Sequence, residues 1–129
     1  MKNQYDLAGR IIGMAMRIHS TLGAGFLESV YHAALAHELE KANIQFESEK
    51  LINVYYDGII VGQFAADFLV ENELIVELKA IQDLATIHEV QTVNYLTATL
   101  KDVGLLINFG AESLQFKKKF RQSRPKPTE

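Results

Sequence analysis

The 129-residue sequence predicts one α/β domain, a helical hairpin followed by a mixed β-sheet flanked by helices. Three observations predict it. Apolar residues recur at steps of three and four up to Leu22, and a second such segment follows a glycine break and runs to Lys41. From Phe46 the period falls to two, with Asp57-Gly58 as a two-residue turn between long β-rich runs. Helical spacing returns between Thr86 and Leu100, ahead of a short apolar strand.

Each element has its own warrant. Leu7, Ile11, Met14, Ile18 and Leu22 line one face of a helix over residues 6–22, which tolerates Gly13 at some cost. Gly23-Ala24-Gly25 breaks it; this tripeptide is too short, and follows no strand, to read as a phosphate-cradling loop. A second helix over 26–41 is expected to turn Leu27, Val30, Ala34 and Leu35 inward, with Glu38, Glu40 and Lys41 outward. Strands follow at 46–56 and 59–70, then the polar loop Glu71-Asn72-Glu73 and a strand at 74–79. After the helix at 86–100 come a buried strand at 103–109 and a candidate edge strand within 112–120. There is no internal repeat. The expected organisation is a domain over residues 1–120 and a flexible basic tail at 121–129, marked by Pro125 and Pro127.

Composition narrows the class. At 48% hydrophobic and 22% charged, the chain is neither low-complexity nor disordered. No apolar run reaches the ~20 residues that span a bilayer, and no signal-peptide pattern opens the chain, so a cytoplasmic protein without a membrane partner is expected. Zero cysteines exclude disulfides and thiolate chemistry. The net charge of −3 hides an asymmetry: residues 117–129 carry six basic groups and one acidic, leaving a net of −8 on residues 1–116. Such a body is a poor coat for nucleic acid. It suits either an ordinary acidic surface or carboxylates collected for a metal.

The chemistry-bearing residues lie in the second and third strands. Asp67 sits among Phe64, Ala65, Ala66, Phe68, Leu69 and Val70, and Glu77 and Lys79 follow Leu74, Ile75 and Val76. Charges in such runs are costly to bury unless paired or bound to a cation. If residues 71–73 form a three-residue loop, Val70 pairs with Leu74, Asp67 opposes Glu77 and Ala65 opposes Lys79. Asp67, Glu77 and Lys79 then share a face. Two opposed carboxylates repel and raise each other's pKa, a penalty that a hard divalent ion, Mg²⁺ or Mn²⁺, removes. A one-residue slip would send Asp67 to the other face. Taken alone, Glu77-x-Lys79 reads as an ion pair on a solvated face. On the helices, Glu28 and Tyr31 are three apart, and Gln91 and Tyr95 four apart with His88 one turn earlier. Tyr31 and Tyr95 also read as half-buried core aromatics. His19, His32, His37 and His88 show no zinc-type pairing.

These residues carry a resemblance. Asp67…Glu77-x-Lys79 resembles the signature of the PD-(D/E)XK nuclease superfamily, with Ala66 where a proline usually precedes the aspartate. Gln91-x-x-x-Tyr95 is similar to the QxxxY motif of RecB-like members. Gly25-x-x-Glu28-x-x-Tyr31 resembles the pattern of the small bacterial GxxExxY proteins. The resemblance implies a restriction-endonuclease-like core. It implies metal binding by Asp67 and Glu77 with the Leu78 carbonyl and Glu28, orientation or activation of the attacking water by Lys79, and, for Gln91 and Tyr95, positioning of Lys79 or contact with a phosphate.

The function so implied is phosphodiester hydrolysis of DNA with Mg²⁺ or Mn²⁺. The alternative is a catalytically silent binding or assembly module on the same fold. A domain this small needs self-association or a protein partner for grip and specificity, because nucleic-acid affinity rests on phosphate neutralisation.

Overall fold

Alternation of small and branched apolar residues builds a five-stranded sheet whose spatial order follows the chain, β1-β2-β3-β4-β5. The structure, a computed structural model, describes residues 4–122. Its elements are α1 (Gln4–Leu22), α2 (Glu28–Lys41), β1 (Phe46–Tyr56), β2 (Ile59–Val70), β3 (Leu74–Lys79), α3 (Thr86–Thr99), β4 (Val103–Asn108) and β5 (Gln115–Phe120). The candidate edge strand is therefore real. β3 and β4 are parallel, joined across one sheet face by α3; every other pair is antiparallel. All six residues of β4 are buried, as expected of a strand covered on both faces.

Two cores hold the layers together. Leu7, Ile11, Met14 and Ile18 of α1 and Tyr31, Leu35 and Leu39 of α2 pack on Phe68, Val70, Leu74, Val76 and Leu78. On the other face Ile52, Ala66, Leu69 and Ile75 meet Leu96 of α3. Phe68 and Ala66 differ by two residues yet belong to opposite cores, so the in–out alternation of β2 reverses at Asp67. At that step the β1–β2 ladder passes from Ser48↔Phe68 to Lys50↔Ala66 without a regular Glu49–Asp67 pair, and Glu49 takes φ 54°.

The expected inward face of α2 holds at Leu35, which is buried, and at Ala34, which packs on the core, but not at Leu27 and Val30. Leu27 precedes the helix and is 77% exposed, and Val30 is 37% exposed. The buried stripe is Tyr31, Leu35 and Leu39, because Tyr31 is held by the loop before it. Its hydroxyl donates to the Gly23 carbonyl at 2.6 Å and accepts from the Phe26 amide at 3.2 Å. Its ring stacks on Phe109 with centroids 4.7 Å apart. Gly25 supplies the φ of 112° that this loop requires.

The segment after β3 is fixed by a buried amide. Asn108, fully buried, accepts from the amides of Ile81 and Gly110 and donates to the Ile81 carbonyl and the Gln115 side chain. Gln115 in turn accepts from the Leu84 amide and donates to Asp83. The loop from Lys79 to α3 is thus tied to β4 and β5. A Cβ at Gly110 would lie 2.3 Å from the Ile81 amide nitrogen, so backbone must move. Gly110→Ala should cost about 2 kcal/mol or more, within the range for overpacking, measured by urea unfolding, and should disturb the loop that follows Lys79.

The tail at 121–129 lies outside the described residues apart from Arg121 and Gln122. Arg121 is docked: its amide donates to the Asp102 carbonyl at 2.9 Å and its guanidinium lies 2.8 Å from the Asp102 carboxylate. Among the described residues no helix is long and apolar enough to cross a membrane.

Candidate active site

The three-residue loop at 71–73 sets the register that matters. Glu71 and Asn72 both take positive φ, and Val70↔Leu74, Leu69↔Ile75 and Phe68↔Val76 pair as the alternation predicts. The ladder stops there. At the next step the side chains replace backbone pairing: the Asp67 amide donates to Glu77 Oε2 at 2.8 Å, and the Leu78 amide donates to Asp67 Oδ2 at 2.7 Å. Asp67 and Glu77 are therefore neighbours across β2 and β3, each with one oxygen committed to backbone. The expected Ala65–Lys79 pairing does not form; Ala65 pairs with Leu51 and Lys79 with Asn108 of β4. Beyond this step β2 pairs with β1 and β3 with β4 but not with each other, so the sheet parts beside the two carboxylates.

Electrostatics identify who shares this opening. Burial, then the Asp67 charge, push Glu77 up to about 8, although the Asp67 amide and Lys79 act the other way. Glu77 is 9% exposed. Asp67 is raised too, mainly by burial and also by Glu49, against the Leu78 amide, His32 and Lys79. Glu28, the first residue of α2, is raised by burial and Asp67 and lowered by Lys79 and His32. Tyr95 is raised by burial, Glu77 and Asp67. Glu28, Lys79 and Tyr95 thus each lie within electrostatic reach of the Asp67–Glu77 pair.

Each helical residue arrives by a distinct device. The loop clamped by Tyr31 starts α2 at Glu28, which makes Gly25, Glu28 and Tyr31 a turn, a site carboxylate and its anchor. Tyr31 itself is core. Tyr95 stacks on Phe64 of β2 with centroids 3.7 Å apart, beside the opening. Gln91 lies one turn earlier on α3 and is exposed. His88 has a structural task, its Nδ1 accepting from the Ala85 amide at the start of α3. Leu78 is buried and contributes its amide to Asp67.

Two further groups belong to the site and have no motif. His32 stacks on Phe68 (centroids 4.3 Å) with Nε2 3.3 Å from both the Asp67 carbonyl and Ser48 Oγ. Its spacing of four from Glu28 was the available signal. Glu49 adds a carboxylate from β1, and no local pattern marks it. Among the described residues no three Asp, Glu, His or Cys side chains are already gathered as a ligand set. The donor chemistry nonetheless fits a hard divalent ion: carboxylate oxygens, two of them on groups whose mutual repulsion a cation would relieve, with the Lys79 charge offsetting Glu77.

A central sheet with antiparallel β1–β3, parallel β3 and β4, and helices on both faces, carrying Asp67 and Glu77-x-Lys79 where the strands part, defines a restriction-endonuclease-like fold. The family model of the PD-(D/E)XK nuclease superfamily matches residues 5–122, and the chain belongs to that superfamily. The crystal structure of SSO0001 is similar over 74% of this chain, with a TM-score of 0.58 and 17% identity, a likeness of fold. This chain spans about half (52%) of that protein. Among curated proteins none matches.

Proposed function

We propose that the chain is a divalent-metal-dependent nuclease that hydrolyses phosphodiester bonds of DNA, of the GxxExxY type, with residues 1–120 as its catalytic domain and 121–129 as a basic tail. The observation that carries the reading is the juxtaposition of Asp67 and Glu77, through the Asp67 amide bond to Glu77 and the Leu78 amide bond to Asp67, with the Lys79 charge acting on both. Asp67, Glu77, Glu28 and the Leu78 carbonyl would hold Mg²⁺ or Mn²⁺. A bound ion supplies Lewis-acid stabilisation of charge on phosphate and lowers the pKa of water. Lys79 orients the attacking water and offsets charge that grows on the phosphoryl oxygens. Tyr95 presents its hydroxyl beside Glu77, and Gln91 contacts the phosphate backbone one turn away. The acidic body gives weak unaided grip, so a protein partner or a second copy supplies affinity and specificity.

One observation favours the silent-module reading: both carboxylates turn one oxygen to the backbone, and no ligand set is gathered in advance. The assay that decides uses the purified 129-residue chain with labelled single- and double-stranded DNA. Cutting is expected with Mn²⁺ or Mg²⁺ and is expected to vanish with EDTA and return on metal addition. No cutting of either substrate with either metal would overturn the nuclease reading.

A further inference from the structure

Asp67 is held in place by bonds that are not rungs of the sheet. Its amide donates to Glu77 Oε2, and its own Oδ2 accepts from the Leu78 amide. The β1–β2 register passes from Ser48↔Phe68 to Lys50↔Ala66 without pairing Glu49 to Asp67. The Asp67 carbonyl meets a side chain instead: Nε2 of His32, on α2, lies 3.3 Å away. A carbonyl oxygen only accepts, so this contact requires the proton on Nε2. Ser48 Oγ, also 3.3 Å from Nε2, is then a second acceptor for the same proton.

His32 is itself fixed. Its ring stacks on Phe68 with centroids 4.3 Å apart, and Phe68, fully buried, is braced edge-on by Phe46. One turn earlier on the same helix stands Glu28, so the element that brings a site carboxylate also brings the donor. Burial raises the Asp67 and Glu28 carboxyls, and His32 acts against it on both, which places the ring beside the two groups.

The contact matters because an aspartate is short. The direction of its Cα–Cβ bond follows the backbone, and a tilt of the peptide between Asp67 and Phe68 would swing the carboxylate away from Glu77. At the step where the alternation of β2 reverses, no Glu49–Asp67 rung fixes that peptide; the imidazole does. Groups that stand behind a metal-binding carboxylate in this way set its orientation, and their loss costs metal affinity.

We propose that His32 is a positioning residue of the site: its Nε2–H fixes the Asp67 peptide and so keeps the Asp67 carboxylate beside Glu77 for Mg²⁺ or Mn²⁺. The inference rests on the metal-dependent reading above. It gives His32 no bond to the ion, since Nε2 is turned to the carbonyl, and no proton to transfer.

Calorimetric titration of the metal-free chain with Mn²⁺ alone separates the two parts of the side chain. His32→Phe keeps a ring to stack on Phe68 and has no donor; its Mn²⁺ affinity should fall by roughly 10–100-fold. His32→Gln has no ring but carries an amide N–H at a reach similar to Nε2, and should recover most of the wild-type affinity. Both should keep the wild-type far-ultraviolet spectrum. If His32→Phe does not fold, the wild-type imidazole decides: a nitrogen-15 correlation spectrum at alkaline pH should show the proton on Nε2, and a proton on Nδ1 overturns the proposal. So does an equal loss of affinity in both variants, which would make the ring rather than its N–H responsible. Wild-type Mn²⁺ binding matched by His32→Phe overturns this proposal alone. A wild-type chain that takes up no Mn²⁺ overturns the metal-dependent reading, and this proposal with it.

Discussion

Lys79→Ala should lower DNA cleavage by roughly 10²–10³-fold, the loss that follows removal of one charge-stabilising donor from a phosphoryl or acyl transfer site, with the fold kept. The argument is positional. Lys79 ends β3, its carbonyl accepts from the Phe109 amide at 2.9 Å, and that main-chain bond does not depend on the side chain. Its ammonium offsets the charges of Glu28, Asp67 and Glu77. Deleting it therefore leaves the strand in place while removing a positive charge that offsets all three carboxylates. Single-turnover cleavage at saturating Mn²⁺ should show the loss in rate, and the far-ultraviolet spectrum should not change. Undiminished cutting by Lys79→Ala would place the activity elsewhere, in another site or in a contaminating enzyme.

The register of β2 against β3 was readable because two independent local signals agree on it. Alternation puts Phe68, Val70, Leu74 and Val76 on one face, and a three-residue polar loop admits only one pairing that keeps them there. From that register Asp67 and Glu77 become neighbours without any knowledge of the fold. The same logic fails one step later. Continuing the ladder to Ala65 and Lys79 assumes unbroken alternation, whereas Phe68 and Ala66 face opposite cores and the ladder with β3 ends at Phe68. Such an irregularity is fixed by packing on a distant helix and leaves no mark in a window of neighbouring residues.

Helix α2 shows the other kind of failure. Leu27 and Val30 are more hydrophobic than Tyr31, so a pattern of apolar residues favours them. The buried face is decided instead by a phenol hydroxyl with two backbone partners in a loop, which tertiary structure alone supplies. His32 then follows Tyr31 to the site side of the helix. Glu49, Asn108 and Gln115 were silent for a related reason. Each acts through partners on other elements, and a buried asparagine such as Asn108 is recognised by its four satisfied hydrogen-bonding groups rather than by its neighbours in sequence.

Glu77→Gln should abolish cutting yet stabilise the metal-free protein at alkaline pH. Glu77 titrates near pH 4.5 in the unfolded chain, and burial beside Asp67 raises it to about 8 in the fold. A carboxyl whose pKa is raised on folding binds its proton more tightly in the native state. Its stabilisation is complete below pH 4.5 and is lost as pH rises through 8. At about 1.4 kcal/mol per unit, the loss is on the order of 5 kcal/mol by pH 9. Glutamine is neutral throughout, and its amide oxygen can still accept from the Asp67 N–H. Thermal melts in EDTA should coincide for the two proteins near pH 4.5 and diverge by on the order of 10 °C at pH 9, the variant being higher. Millimolar Mg²⁺ at pH 9 should raise the wild-type midpoint, since an ion that binds only the native state stabilises it, and should move Glu77→Gln far less. Parallel melting profiles across this range would mean that Glu77 is not held against its charge. The group that costs the apo fold most would then not be the one the reaction requires.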